Sequence, residues 1–172
     1  IITSLSGKAT RIVKVQSLVA GGGIGGSALF RYLAEDGQKP VLVNFGRGAS
    51  WRNIAGGRPA FSLPEIADIA RHNHEIFKDL QKIHDVQFRS TRYITFAHDD
   101  KTYKALEESM SWSDAYMVDP KDFRKEISAH ISPNLGDIYP AALISRDCWQ
   151  ATPGRVIDLI RRIGIQKGGT VL

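Results

Sequence analysis

Gly21, Gly23 and Gly26 stand at the spacing Gly-x-Gly-x-x-Gly within the run Gly21-Gly22-Gly23-Ile24-Gly25-Gly26. That spacing serves a tight turn leaving a strand, a close approach of main chain to a diphosphate, and a point where a helix packs against a sheet. A helix starting there turns free N–H groups and a partial positive charge toward the anion. A glycine pattern alone is weak evidence, so its neighbours decide the reading.

The neighbours fit. Residues 11–20 form a β-branched stretch suited to a strand, and residues 27–36 place Ala28, Leu29 and Leu33 at helical spacing before Gly37 ends the run. Pro40-Val41-Leu42-Val43-Asn44 is a second short apolar strand. Strand, helix and strand together make a parallel crossover of ~30 residues, so the turn reads as a dinucleotide site. A carboxylate is expected where the second strand ends, holding the adenosine ribose, but Asn44 occupies the position. Its carbonyl accepts one ribose hydroxyl without the charge or bidentate reach of Asp or Glu, and an ordinary strand-ending turn residue is the alternative.

The next segment, Phe45-Gly46-Arg47-Gly48-Ala49-Ser50-Trp51-Arg52-Asn53-Ile54-Ala55-Gly56-Gly57-Arg58, resembles the loop after the second strand in the D-amino-acid oxidase superfamily of FAD-dependent oxidoreductases. That superfamily includes glycine and sarcosine oxidases, dimethylglycine and sarcosine dehydrogenases, and dye-linked proline dehydrogenases. The resemblance implies an FAD-binding set of Gly21, Gly23, Ile24, Gly25, Gly26, Asn44, Phe45, Gly46, Arg47, Ala49, Ser50, Arg52, Asn53, Ala55, Gly56 and Gly57. Small residues there let main chain lie along the cofactor. Some relatives attach FAD through a histidine after the tryptophan of this loop; Arg52 stands there, which implies a non-covalent flavin. Arg58 is open to two readings, a partner for an anionic substrate carboxylate or one arm of a structural salt bridge.

The resemblance extends through most of the remaining chain. Ser62-Leu63-Pro64-Glu65 reads as a capping box opening a long helix, with Ile66, Ile69, Ala70, Ile76, Phe77, Leu80 and Ile83 on one stripe. Residues 92–97 alternate as a strand, with Arg92 where the family commonly has glycine. A helix over 99–110 follows, and Asp119-Pro120 and Thr152-Pro153 each open a further helix. Thr170-Val171-Leu172 reads as the start of a strand.

The implied fold class is α/β, a Rossmann-like FAD-binding parallel sheet with part of an α+β substrate domain, incomplete. The expected organisation is a loose lead-in over 1–10, an FAD-binding region over 11–90, a partial substrate region over 91–150 and a return to the FAD region over 151–172. The implied reaction oxidises the C–N bond of an amino acid or secondary amine by hydride transfer to flavin, leaving an imine that water hydrolyses. Most substrate-facing residues of that family lie in its C-terminal half, so no catalytic residue is named. The missing half, or a partner subunit, is the expected complement.

Two other classes stay open. One is a non-catalytic nucleotide-binding fragment or subunit completed by a partner chain; the other is an NADP-dependent reductase in which Asn44 and Arg47 take the 2′-phosphate. Composition narrows the field further. The net charge of +5 is dispersed rather than gathered into a nucleic-acid stripe, and Cys148 is the single cysteine. No apolar run is long enough to span a membrane, and a cytoplasmic location is expected. His72 and His74 lie about 200° apart around a helix and cannot share a metal. All five histidines read as surface or helix-end residues, and no metal site is expected.

Overall fold

The structure, a computed structural model, describes residues 2–3, 9–11, 14–44, 46, 48–53, 55–61 and 63–172. Strands β1 (Ile2–Thr3) and β2 (Ala9–Arg11) pair antiparallel within and just beyond the expected lead-in. Two compact units follow from the chain path, one of Ile1–Asn53 with Pro153–Leu172 and one of Ile54–Thr152.

In the first unit, β3 (Leu18–Ala20) leads into α1 (Ile24–Glu35) and then β4 (Val41–Val43). The chain returns to this unit through α6 (Pro153–Gln166) and β9 (Thr170–Val171). The three strands form one parallel sheet in the order β3, β4, β9. The first strand is shorter than its β-branched sequence suggests: ladder pairing covers Leu18 to Ala20 against Val41 to Val43, and residues 14–17 stay outside it. Val19, Phe30 and Leu42 form the core, with Leu33 and Val171 packed on it. Helix α1 therefore buries Ser27, Phe30 and Ala34, while Leu29, expected on the apolar stripe, is exposed. Gly37 at φ +79° ends the helix as expected. Glycine also sets how closely α6 approaches α1, because a Cβ on Gly164 would lie 2.5 Å from the Phe30 ring.

The second unit begins with β5 (Gly56–Gly57), α2 (Pro64–Ile83) and β6 (Arg89–Ala97). It continues through α3 (Asp100–Ser109), β7 (Ala115–Val118), the short helices α4 (Phe123–Glu126) and α5 (Leu135–Ile138), and β8 (Ala141–Gln150). All pairing is antiparallel and centres on β8, which has β6 along one edge and β7 and β5 sharing the other. Val118, Phe123, Ala142 and Ile144 form its core.

Several expectations change here. The N-cap of α2 is Leu63 with no side-chain cap bond, one residue later than the capping box implied, and Ser62 lies outside the described residues. Of the expected α2 stripe, Ile66, Ile69 and Ile83 are exposed; the buried face carries Ala67, Ala70 and Leu80. The helix expected at Asp119-Pro120 shortens to a 3₁₀ turn and the four-residue α4. Helix α3 forms where expected, capped by the Asp99 carboxylate, which accepts from the Thr102 amide at 2.7 Å. Arg92 sits at a register shift of β6 and donates to the Glu126 carbonyl at the end of α4, 3.2 Å away. No helix among the described residues is long and apolar enough to cross a membrane.

Candidate dinucleotide-binding site

The glycine turn joins β3 to α1, and each of its key glycines has a distinct reason to lack a side chain. Gly21 adopts φ +102°, a region L-residues avoid, and its amide donates to the Val43 carbonyl at 2.9 Å, tying the turn to the end of β4. Gly23 is the N-cap of α1, and its carbonyl accepts from the Ser27 amide at 2.9 Å. A Cβ on Gly26 would overlap the Gly21 carbonyl oxygen, so the helix can pack on the turn only as glycine. Ile24 and Gly25 are the exposed first residues of α1. Its first turn holds no acidic side chain, leaving the positive end of the helix available to an anion.

Asn44 follows β4, and its amide donates to the Leu172 carbonyl at 3.0 Å. Its Oδ1 is buried and has no hydrogen-bond partner among the described residues. A ribose hydroxyl would satisfy such an acceptor, and an unmet buried acceptor is costly. A Cβ on Gly22 would lie 2.5 Å from this Oδ1, so the turn and the strand end meet at one point.

The segment 49–51 forms a 3₁₀ turn that docks on the same unit. A Cβ on Gly23 would lie 2.9 Å from Ser50 Oγ, and one on Gly154 would lie 2.9 Å from the Trp51 ring. Ser50 thereby stands beside the glycine turn while Trp51 leans on the start of α6. Gly46 at φ +114° supplies the bend before it, and Arg52 and Asn53 continue on the surface, with Asn53 Nδ2 donating to the Ser50 carbonyl at 3.2 Å. Ala49 opens the turn, exposed. Phe45 and Arg47 of the expected set lie outside the described residues.

The remaining expected residues belong to the second unit. Ala55 adopts φ +44°, a left-handed conformation rare for a residue with a Cβ, and its carbonyl accepts from the Ala151 amide at 3.3 Å. Gly56 and Gly57 pair with Gln150 and Trp149, and a Cβ on Gly57 would overlap the Trp149 indole. That indole stacks on His74, with centroids 4.9 Å apart and planes 8° from parallel, and His74 stacks in turn on Phe88. His74 is thus neither a surface nor a helix-end residue, contrary to the expectation for all five histidines. Its Nε2 is buried without a partner among the described residues, and burial first, then nearby Lys78, lowers its pKa below the ordinary 6.5. Burial likewise raises the Asp147 carboxyl and pushes the Cys148 thiol up to about 11, so Cys148 is no ready nucleophile.

Of the two sequence readings of Arg58, the structural salt bridge is not formed among the described residues. Its guanidinium lies 4.5 Å from the Tyr93 ring centroid and 5.2 Å from that of Phe61, with no ion pair among the described residues. Sequence reasoning also missed Arg161, whose Nη2 donates to the Gly22 carbonyl and whose Nε donates to Ser27 Oγ at 3.1 Å. The available signal was its position: Ile157, Arg161 and Gly164 share one helical face, and the two flanking residues are buried. Among the described residues no cluster of His, Cys, Asp and Glu is arranged to hold a metal.

Comparison with known proteins places this geometry. A family model described as DAO, FAD dependent oxidoreductase, matches residues 17–172. No curated protein sequence matches significantly. Among solved structures, L-proline dehydrogenase from P. horikoshii superposes with a TM-score of 0.78 at 22% identity, over 92% of this chain and 44% of that one. Glycine oxidase from Bacillus cereus ATCC 14579 gives 0.68 at 17%, over 92% and 47%. L-alpha-glycerophosphate oxidase from Mycoplasma pneumoniae, with FAD bound, gives 0.65 at 15%, over 93% and 45%. These likenesses show a shared fold, and the chain spans less than half the length of each neighbour.

Proposed function

This chain belongs to the DAO family of FAD-dependent oxidoreductases, and we propose that it forms the cofactor-gripping part of an enzyme that oxidises the C–N bond of an amino acid or secondary amine. Bound FAD supplies the hydride acceptor in such chemistry. The protein's own residues supply grip and position. Amides at the start of α1 hold the diphosphate, Asn44 Oδ1 accepts from the adenosine ribose, and Ser50 keeps the neighbouring loop against the turn. Ala55, Gly56 and Gly57 are assigned by the family resemblance to the flavin end of the cofactor, and Arg52, standing where some relatives carry a histidine, would leave the flavin without a covalent link. The first unit is read as the dinucleotide part and the second as the start of the substrate part.

One observation carries the reading: the unmet Asn44 acceptor stands beside a glycine turn whose geometry tolerates no side chain at Gly26. The substrate class rests on a second. Arg58 is held by two aromatic rings and has no carboxylate partner among the described residues, which leaves its donors for the carboxylate of an amino acid. The remaining substrate-facing groups are assigned to polypeptide beyond these 172 residues, in the same chain or a partner. FAD as the family cofactor sets aside the NADP reading.

Anaerobic mixing of the FAD-loaded protein, as its gene encodes it, with proline, sarcosine, glycine or glycerophosphate tests this. Bleaching of the flavin band by one of the amines supports the proposal. Bleaching by glycerophosphate alone, or by none, contradicts it.

A further inference from the structure

Arg161 lies in the sequence far from the glycine turn, yet α6 brings its guanidinium onto it. Helices α1 and α6 run in the same sense, with Gly164 against Phe30 and Arg161, one turn earlier, against Ser27. The guanidinium is fixed from three sides: Nη2 donates to the Gly22 carbonyl, Nε donates to Ser27 Oγ, and the Trp51 ring centroid lies 5.6 Å from its central carbon. Ser27 Oγ itself bonds the Gly22 carbonyl at 3.3 Å, so charge, hydroxyl and turn form one connected group.

Two features make this placement unfavourable without an anion. The N-terminal end of α1 already carries partial positive charge, and a cation there adds to it rather than offsetting it. No acidic residue compensates, because the first turn of α1 has none and Arg161 has no ion-pair partner among the described residues. Asn44 completes the pattern. Its Oδ1 and Arg161 Nη2 converge on the same side of Gly22, where a Cβ would meet both. A carboxylate at position 44 would face the guanidinium and neutralise it; the neutral amide leaves the charge unspent.

Resting on the FAD reading of this turn, we propose that Arg161 is a cofactor-positioning residue: it fixes the glycine turn and supplies the positive charge that the ADP end of FAD requires, a role matched to the neutral Asn44. A guanidinium fixed on the turn would attract a diphosphate bound there, and the effect would be screened by salt because the group is only half-buried.

The test is the dissociation constant for FAD, read from quenching of flavin fluorescence at low and high ionic strength, for the unaltered protein, Arg161→Lys and Arg161→Met. At low ionic strength Arg161→Met is expected to weaken binding on the order of tenfold, with Arg161→Lys recovering most of it. The gap should narrow at high salt. Should Arg161→Met fail to fold, Arg161→Gln keeps a donor for the Gly22 carbonyl while removing the charge, and the same loss is expected. Wild-type affinity in the charge-removed variant, or an equal loss at both ionic strengths, overturns the role given to Arg161 while leaving the FAD site standing. Absence of FAD binding by the unaltered, folded protein overturns both.

Discussion

The turn at residues 21–26 and the segment at residues 55–57 both use small residues where main chain must lie close to something, but they are backed differently. In the turn, Gly26 faces the carbonyl of Gly21, which is main chain held by the Val43 bond and cannot retreat. In the second unit, Gly57 faces the indole of Trp149, a side chain that can move once its stack with His74 is disturbed. A backbone obstacle makes glycine obligatory, whereas a side-chain obstacle makes it negotiable through a second substitution.

The largest expected effect is at Gly26. Gly26→Ala forces the turn open, is expected to cost about 3 kcal/mol in unfolding free energy, and abolishes FAD binding in a fluorescence titration. Gly57→Ala should cost about 2 kcal/mol in the same denaturation assay. Because its obstacle is an indole, the double variant with Trp149→Leu should lose less than the two single losses together. Additive losses would mean that Trp149 is not what excludes a Cβ there. A gain is expected at Ala55: the left-handed backbone suits glycine, so Ala55→Gly should stabilise by up to about 1 kcal/mol.

The smallest expected effect is a pH dependence. The folded-state pKa of His74 is lowered, so its contribution is fully present above 6.5 and is lost as pH falls toward the folded value. His74→Phe keeps an aromatic ring on Trp149 without a proton to gain. The decline in stability just below pH 6.5 should flatten in this variant, as read from thermal unfolding midpoints across pH.

The first unit was largely legible in the sequence because local chemistry governs it. The glycine spacing, the αL glycine at Gly37, the proline at the start of α6 and the final strand are each set by a few adjacent residues. The second unit was less legible because its central strand hides its nature. Residues Ala141 to Ser145 of β8 are all buried, so they show no alternation of apolar and polar residues, and sequence reading left this strand unassigned. Helix α2 misled for a related reason: its packed face was selected by small Ala67 and Ala70 and by the His74 stack, not by the bulkier isoleucines. For Arg161 the sequence showed the packed helical face but not its target, since only the parallel packing of α6 on α1 carries it to a turn distant in sequence.

The central claim is that the turn at Gly21 to Gly26 grips the diphosphate of FAD. A crystal structure of the protein grown with FAD measures it directly. The account predicts diphosphate oxygens within hydrogen-bonding distance of the amides opening α1, and a ribose hydroxyl donating to Asn44 Oδ1. Cofactor density elsewhere, with the turn bare and Asn44 still unmet, would contradict it.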